Sequence, residues 1–379
     1  MTSANEGQGA AVRWTGNELR DRLALWFADQ LIDAEGVRVE GLDRVEIGHS
    51  AEMFTLTLVS RSAGAERSDD LVVRLRPPEP GLLEPYDLKR QFEVLRGLEG
   101  TAVRAPQALW LEPTGRVLGR PFFVMRRLDG EVFERNPIPA EMEAEPGRLR
   151  RMCESMVDQF AAVHLVDLKE TGLDALADGR GYVDRELDHW ASEIQRVQRG
   201  PLPALERLLV ELRRQQPEPC PRVTLVHGDP KPGNVAFVGD AVSAVFDWEL
   251  ATLGDPLTDV GYLELMWAMP VGVSSKPSSL NVDEFVARYQ ERTGIPVLHR
   301  KWYRAMQVFK VGAIQLIGSM LCDAGHWNDP RAIGMAAGIE LMTPMGLSDL
   351  GVDEPIEMGP IYPREERMQE VRSQGPSPH

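Results

Sequence analysis

Cysteine is scarce. Three residues, Cys153, Cys220 and Cys322, are spread over 379 positions without metal-type spacing, which argues against a thiolate metal centre or a disulfide-stapled secreted scaffold. Free thiols in a reducing, cytoplasmic setting are expected instead. Positive charge is also short: 42 Lys and Arg face 58 Asp and Glu, for a net charge of −16. Nucleic-acid binding relies on clustered cations that release counterions from the phosphate backbone, so no nucleic-acid partner is expected. Acidity of this size attracts cationic small molecules or simply keeps the surface soluble. No apolar run of membrane-spanning length is expected, and the opening MTSANEGQGAAVRW has neither the basic region nor the apolar core of a secretory leader. No membrane partner is expected.

The remaining composition, 43% hydrophobic and 26% charged, is that of a globular chain long enough for two cores. A helix is expected over residues 15–31, where Thr15 and Glu18 form a capping box and Leu19, Leu23, Trp26 and Leu31 recur at helical spacing. Three short strands follow at 43–48, 53–60 and 70–76, and the helix YDLKRQFEVLRGLEG turns Leu88, Gln91, Leu95 and Leu98 to one face before Gly100. ALWLEP and PFFVMRRLDG are two further strands. Five strands and one main helix make a small α+β lobe over residues 1–130. Beyond a hinge near Gly130 the periodicity turns helical through residues 131–363, and the charged tail 364–379 is expected to be mobile.

A short segment inside this helical region stands apart. LVHGDPKPGNVAFVGDAVSAVFDWELATLGDP places His227, Gly228, Asp229, Lys231 and Asn234 inside eight residues and returns to Asp247 after the apolar run AVSAVF. Phosphoryl transfer needs a carboxylate to orient or deprotonate the acceptor hydroxyl and oxygen ligands for Mg²⁺. Asp229 and Asn234, five apart, have the spacing of a base and a metal ligand. Asp247, at a strand end, supplies a second ligand, and Lys231 is a flexible cation for the transferring phosphate.

The pattern H-G-D-x-x-x-x-N followed by D-x-E, carried by His227, Gly228, Asp229, Asn234, Asp247 and Glu249 and continued by LGDPLTDVG, resembles the aminoglycoside phosphotransferase family. The resemblance spans the chain from Gly48 to the helix around Trp302. It implies a two-lobed protein-kinase-like fold, with a five-stranded antiparallel sheet and one main helix in the N-lobe and a larger, mostly helical C-lobe. It also implies Mg²⁺, ATP as co-substrate (GTP remaining open) and a small hydroxylated acceptor. By position, Gly48, His49 and Ser50 would cover the nucleotide phosphates. Arg74 would stand where protein kinases use Lys, with Gln91 or Glu93 as its partner. Met125 would back the adenine pocket, and the Arg126 carbonyl and Leu128 amide would pair with the base edge. Asp259 resembles the family carboxylate that braces the catalytic loop. Asp255 reads as a capping residue, His164 as a core histidine, and His227 as a support of the loop.

Aminoglycosides are the best-known acceptors of the family, while choline, homoserine, methylthioribose and hydroxyacyl-CoA kinases share its catalytic machinery. A nucleotide-binding scaffold without turnover is the reading from another class, and the intact Asp229, Asn234 and Asp247 argue against it. A protein kinase is disfavoured because the chain has no D-F-G and A-P-E pair. Asp184, Glu186, Asp188, Glu264, Asp283 and Glu284 are either contacts for a cationic acceptor or solvated helix faces, the second being preferred.

Overall fold

The structure is a computed structural model that describes residues 16–45, 51–134, 138–177, 179, 181–270, 272–327 and 331–373, without the side chains of 331 and 332. Thr15 and the expected phosphate-loop residues Gly48, His49 and Ser50 lie outside the described residues. The chain divides into two compact units, residues 1–92 with 106–127 and residues 93–105 with 128–379. The division falls three residues before the expected hinge, and it assigns the short stretch 93–105 to the second unit.

The first unit contains α1 (Gly16–Gln30), β1 (Glu35–Val45), β2 (Glu52–Ser62), β3 (Ala65–Leu75), then after α2 (Leu88–Gly97) the strands β4 (Ala108–Glu112) and β5 (Phe122–Arg126). All five strands pair antiparallel in the order β1-β2-β3-β5-β4. Alternate residues Leu56 and Leu58, Leu71 and Val73, and Phe122 and Val124 turn to one face, as the two-residue period of a strand requires. There they are buried with Leu19, Leu23 and Phe27, which α1 presents at four-residue intervals. β1 begins eight residues earlier than the expected Asp43, its charged Glu35, Arg38 and Glu40 masking the period. Among its eleven residues only Val39 is buried, as suits an edge strand.

The second unit is mostly helical. It holds β6 (Glu131–Val132), α3 (Ala140–Ala144), α4 (Arg148–His164), α5 (Tyr182–Val197) and α6 (Pro203–Arg214). Four short strands follow, β7 (Thr224–Val226), β8 (Val235–Val238), β9 (Ala241–Val245) and β10 (Thr252–Gly254). The unit closes with α7 (Leu257–Ala268), α8 (Val282–Thr293), α9 (Arg300–Asp323), α10 (Arg331–Asp349) and α11 (Glu365–Ser373).

Two expectations need correction here. Against the expectation of no stretch of membrane-spanning length, α9 is long and apolar enough by composition, with a mean hydropathy of 1.4 over 18 residues. Its apolarity is that of a core helix: 83% of that window is buried inside the protein, against α5, α7 and α10. The tail expected to be mobile carries α11, whose Val371 is fully buried against Cys322 beside Trp327 and Ile333. Arg367 Nε donates to the Cys322 carbonyl at 2.8 Å. One valine among charges gives almost no periodic signal, but it suffices to anchor a two-turn helix.

Candidate active site

The twelve residues between Asn234 and Asp247 are the length of a hairpin. β8 and β9 pair antiparallel with Val235 opposite Val245, so the residues flanking the hairpin, Asn234 and Phe246, are brought side by side. Phe246 N donates to the Asn234 carbonyl at 2.8 Å, and Asp247 follows in the left-handed region at φ 63°. On the other side, fully buried β7 pairs with β10 and delivers the chain into the loop that starts at His227. Tertiary pairing thus gathers Asp229, Lys231, Asn234 and Asp247 at one end of two short strand pairs.

The loop is held by buried acceptors and donors. Asp259, 1% exposed in the first turn of α7, accepts from His227 N at 2.7 Å and from Gly228 N at 2.9 Å. His164 and Tyr289 complete this support, with His164 Nε2 at 3.1 Å from Asp259 Oδ2 and Nδ1 at 2.6 Å from the Tyr289 hydroxyl. His227 uses both ring nitrogens for support: Nδ1 accepts from Asp229 N at 3.2 Å, and Nε2 donates to the Phe246 carbonyl at 2.8 Å. Burial pushes its pKa down despite Asp259 and Asp229, which matches the neutral tautomer those two bonds define. Gly228 has φ 83°, and a Cβ there would stand 2.5 Å from the Leu250 carbonyl oxygen. Only glycine fits.

Asp229 itself is loaded with donors. Its Oδ2 accepts from Asn234 Nδ2 at 2.8 Å and lies 3.0 Å from Lys231 Nζ, and the Tyr262 hydroxyl donates to the same carboxylate. Burial alone would raise its pKa; Lys231, Tyr262 and His227 together outweigh that and lower it to about 2. Lys231 is raised in turn, chiefly by Asp229. Asn234 Nδ2 also donates to the Asp229 carbonyl at 2.8 Å, which commits the amide nitrogen inward and leaves Oδ1 as the outward end. An amide oxygen beside a carboxylate, Asp247, is an all-oxygen set of the kind hard Mg²⁺ takes when substrate phosphates supply further ligands. The residues therefore fit the ion that the family pattern implies.

In the first unit, Arg74 lies on β3 and is 5% exposed. Its Nε donates to the Tyr86 hydroxyl at 3.1 Å, with Nη1 3.9 Å from the Met53 sulfur. Gln91, 3% exposed on α2, keeps its Nε2 without a partner among the described residues. Met125 is buried opposite Val72. Arg126 ends β5, tied by its side chain to Gln107 and Asp69, and at Leu128 the chain re-enters the second unit. Asp255 caps α7 through Leu257 N at 2.9 Å and also accepts from Cys220 N and the Tyr303 hydroxyl.

Sequence reasoning missed three residues around these groups: Tyr86, Tyr262 and Lys310. Tyr262 follows Asp259 by three positions, so both face one side of α7, and that spacing was available as a signal. Lys310 is a lone cation in the apolar run of α9, which was the signal for a buried partner; its Nζ donates to the Gly228 carbonyl at 2.8 Å.

Residues 43–305 match the family described as the phosphotransferase enzyme family. The chain belongs to that family. Among curated proteins, acyl-CoA dehydrogenase family member 10 of Mus musculus is 31% identical over 261 residues, 64% of this chain and 24% of its own length. Acyl-CoA dehydrogenase family member 11 of Rattus norvegicus is 29% identical over 260 residues, 65% of this chain and 33% of its own. The chain thus spans about a quarter to a third of these relatives. Among solved structures, a candidate aminoglycoside phosphotransferase from Ralstonia eutropha aligns with TM-score 0.68 at 23% identity, covering 87% of this chain and 98% of that one. Aminoglycoside phosphotransferase APH(4)-Ia, solved with ADP and hygromycin B, aligns with TM-score 0.55 at 16% identity over 88% and 99%. The five-stranded antiparallel sheet and the helical unit are the protein-kinase-like fold of this phosphotransferase family.

Proposed function

We propose that this phosphotransferase-family chain transfers the γ-phosphoryl group of ATP to a hydroxyl of a small molecule. The observation that supports it most is the convergence of Asp229, Lys231, Asn234 and Asp247 at the end of the β8–β9 hairpin, on a loop fixed by Asp259 and His227. In this reading Asp229 receives the acceptor hydroxyl. As the acceptor oxygen bonds to γ-phosphorus, the bond from γ-phosphorus to the bridging oxygen breaks, ADP leaves, and the hydroxyl proton passes to Asp229. A carboxylate held at about 2 is a weak proton acceptor, so its main work is to orient the hydroxyl, with proton transfer late, as a loose transition state allows. Lys231 offsets charge on the transferring group. Asn234 Oδ1 and Asp247 would hold Mg²⁺, which when bound neutralises charge on the phosphate oxygens. Arg74, with Gln91 or Glu93, Met125, Arg126, Leu128, Gly48, His49 and Ser50 are the proposed nucleotide contacts. That Cys153, Cys220 and Cys322 form no disulfide supports a cytoplasmic setting.

For the acceptor, an aminoglycoside-like compound is the reading carried by the family resemblance. A hydroxyacyl-CoA is the second, favoured because the curated relatives bear acyl-CoA dehydrogenase names. The deciding experiment is a panel of aminoglycosides, amino alcohols and hydroxyacyl-CoAs incubated with Mg·ATP and with Mg·GTP, each product scored for gain of one phosphate. Transfer to one class, lost in Asp229→Asn, is the expected result. Mg·ATP binding without transfer to any of them would favour the non-catalytic scaffold.

A further inference from the structure

Lys310 is 3% exposed, and its chemistry is unexplained by helix packing. A buried ammonium is costly unless paired and hydrogen-bonded. Here it donates to the Gly228 carbonyl at 2.8 Å, sits 3.7 Å from Glu186 and lies 5.7 Å from the centre of the Trp190 ring. Trp190 Nε1 donates to the same Glu186 carboxylate at 3.1 Å, so the counter-charge is itself fixed from α5. The carbonyl that Lys310 holds belongs to the peptide joining Gly228 to Asp229. At the other end of that peptide, Asp229 N donates to His227 Nδ1. Gly228 N is held in turn by Asp259. A glycine at φ 83° has no side chain to limit rotation, so these bonds are what fix the plane from which Asp229 projects.

We propose that Lys310 is a positioning residue for phosphoryl transfer, its ammonium holding the Gly228 carbonyl and so the peptide that carries Asp229. The inference rests on the reading that Asp229 faces the acceptor. Lys310→Met retains the length of the stem and deletes the donor, whereas Lys310→Arg keeps a charged donor for the carbonyl. Amide hydrogen exchange on the full chain supplies a readout independent of activity, with the amides of His227, Gly228 and Asp229 as reporters and α10 as control. In Lys310→Met the loop amides should exchange on the order of tenfold faster while α10 changes less than about twofold, and Lys310→Arg should restore some of the protection. For the acceptor identified by the panel, kcat should fall on the order of tenfold to a hundredfold with the KM for ATP nearly constant. Unchanged loop exchange in Lys310→Met overturns the proposal, and so does faster exchange spread evenly through the chain, which would make Lys310 a packing residue. Faster loop exchange with unchanged kcat overturns its role in the reaction. A wild-type protein that phosphorylates nothing in the panel defeats the function proposed above, while the exchange measurement still decides whether Lys310 holds the loop.

Discussion

The loop from His227 to Asn234 and the Arg74 region of the first unit are built to different standards. Along the loop, the amides of His227, Gly228 and Asp229, the Gly228 carbonyl and the Asp229 carboxylate each have named partners within the second unit. In the first unit, Arg74 donates to the Tyr86 hydroxyl and approaches the Met53 sulfur, and α2 buries the Gln91 amide, whose Nε2 has no partner among the described residues. A group that meets a reacting atom must hold its geometry before the substrate arrives. A group that binds a polyanion can leave hydrogen-bonding capacity for the ligand to fill. The contrast predicts catalysis that is sensitive to the loop and affinity that is sensitive to Arg74.

The largest effect should come from Asp229→Asn, which removes charge at the centre of the loop: turnover falls on the order of a hundredfold or more while nucleotide affinity changes little. Near-normal turnover, measured with the acceptor found by the panel, would break the comparison at its strongest point. Next is Gly228→Ala. The positive φ and the 2.5 Å approach of the Leu250 oxygen should cost roughly 2 to 3 kcal/mol of stability, read from denaturant midpoints. A cost below about 0.5 kcal/mol would mean that the loop relaxes and is less rigid than argued.

Arg74→Lys sharpens the other side. Loss of the guanidinium fork should weaken Mg·ATP binding by roughly 1 to 3 kcal/mol, with kcat less affected. Tyr86→Phe should weaken it by a few tenths to about 1 kcal/mol, and the two should be non-additive because their side chains touch. Calorimetric titration of the single and double variants measures this. Strict additivity would remove Tyr86 as the residue that orients Arg74, and Arg74→Lys with Gln91→Glu tests Gln91 in the same way, additive effects there leaving Glu93 or no partner.

The smallest effect is on pH dependence. His227 has a depressed pKa when folded, so the unfolded chain takes up its proton first. Its contribution to stability is complete above about pH 6.5 and declines below it. The depressed carboxyls of Asp229 and Asp259 contribute fully above about pH 4 and lose that contribution as pH falls through their lowered folded pKa values, which for Asp229 is about 2. The melting temperature should therefore be level above neutrality, fall gently at first on acidification and then steeply, and His227→Gln should flatten the gentle phase. A wild-type curve flat from pH 7 to 5 would show that the buried imidazole is not destabilised by protonation.

The sequence by itself determined the class of each element where a period was strong: the alternation in β2, β3 and β5, the stripe on α1, and the run H-G-D to Asn234 with Asp247 thirteen residues later. Those features are local, set by side-chain direction along strands and helices and by the length of one hairpin. The first eight residues of β1 and the whole of α11 escaped because each stretch buries one residue, Val39 or Val371, among charges, and one contact has no period. Tertiary structure alone decided that α9, apolar enough for a bilayer, is a core helix, because its neighbours cover 83% of its most apolar stretch. It also decided that Lys310, 82 residues from Gly228, meets that carbonyl, and that Tyr262 meets Asp229. Such pairings depend on how helices pack around a loop, and a buried charge reveals in the sequence that it needs a partner without revealing which one.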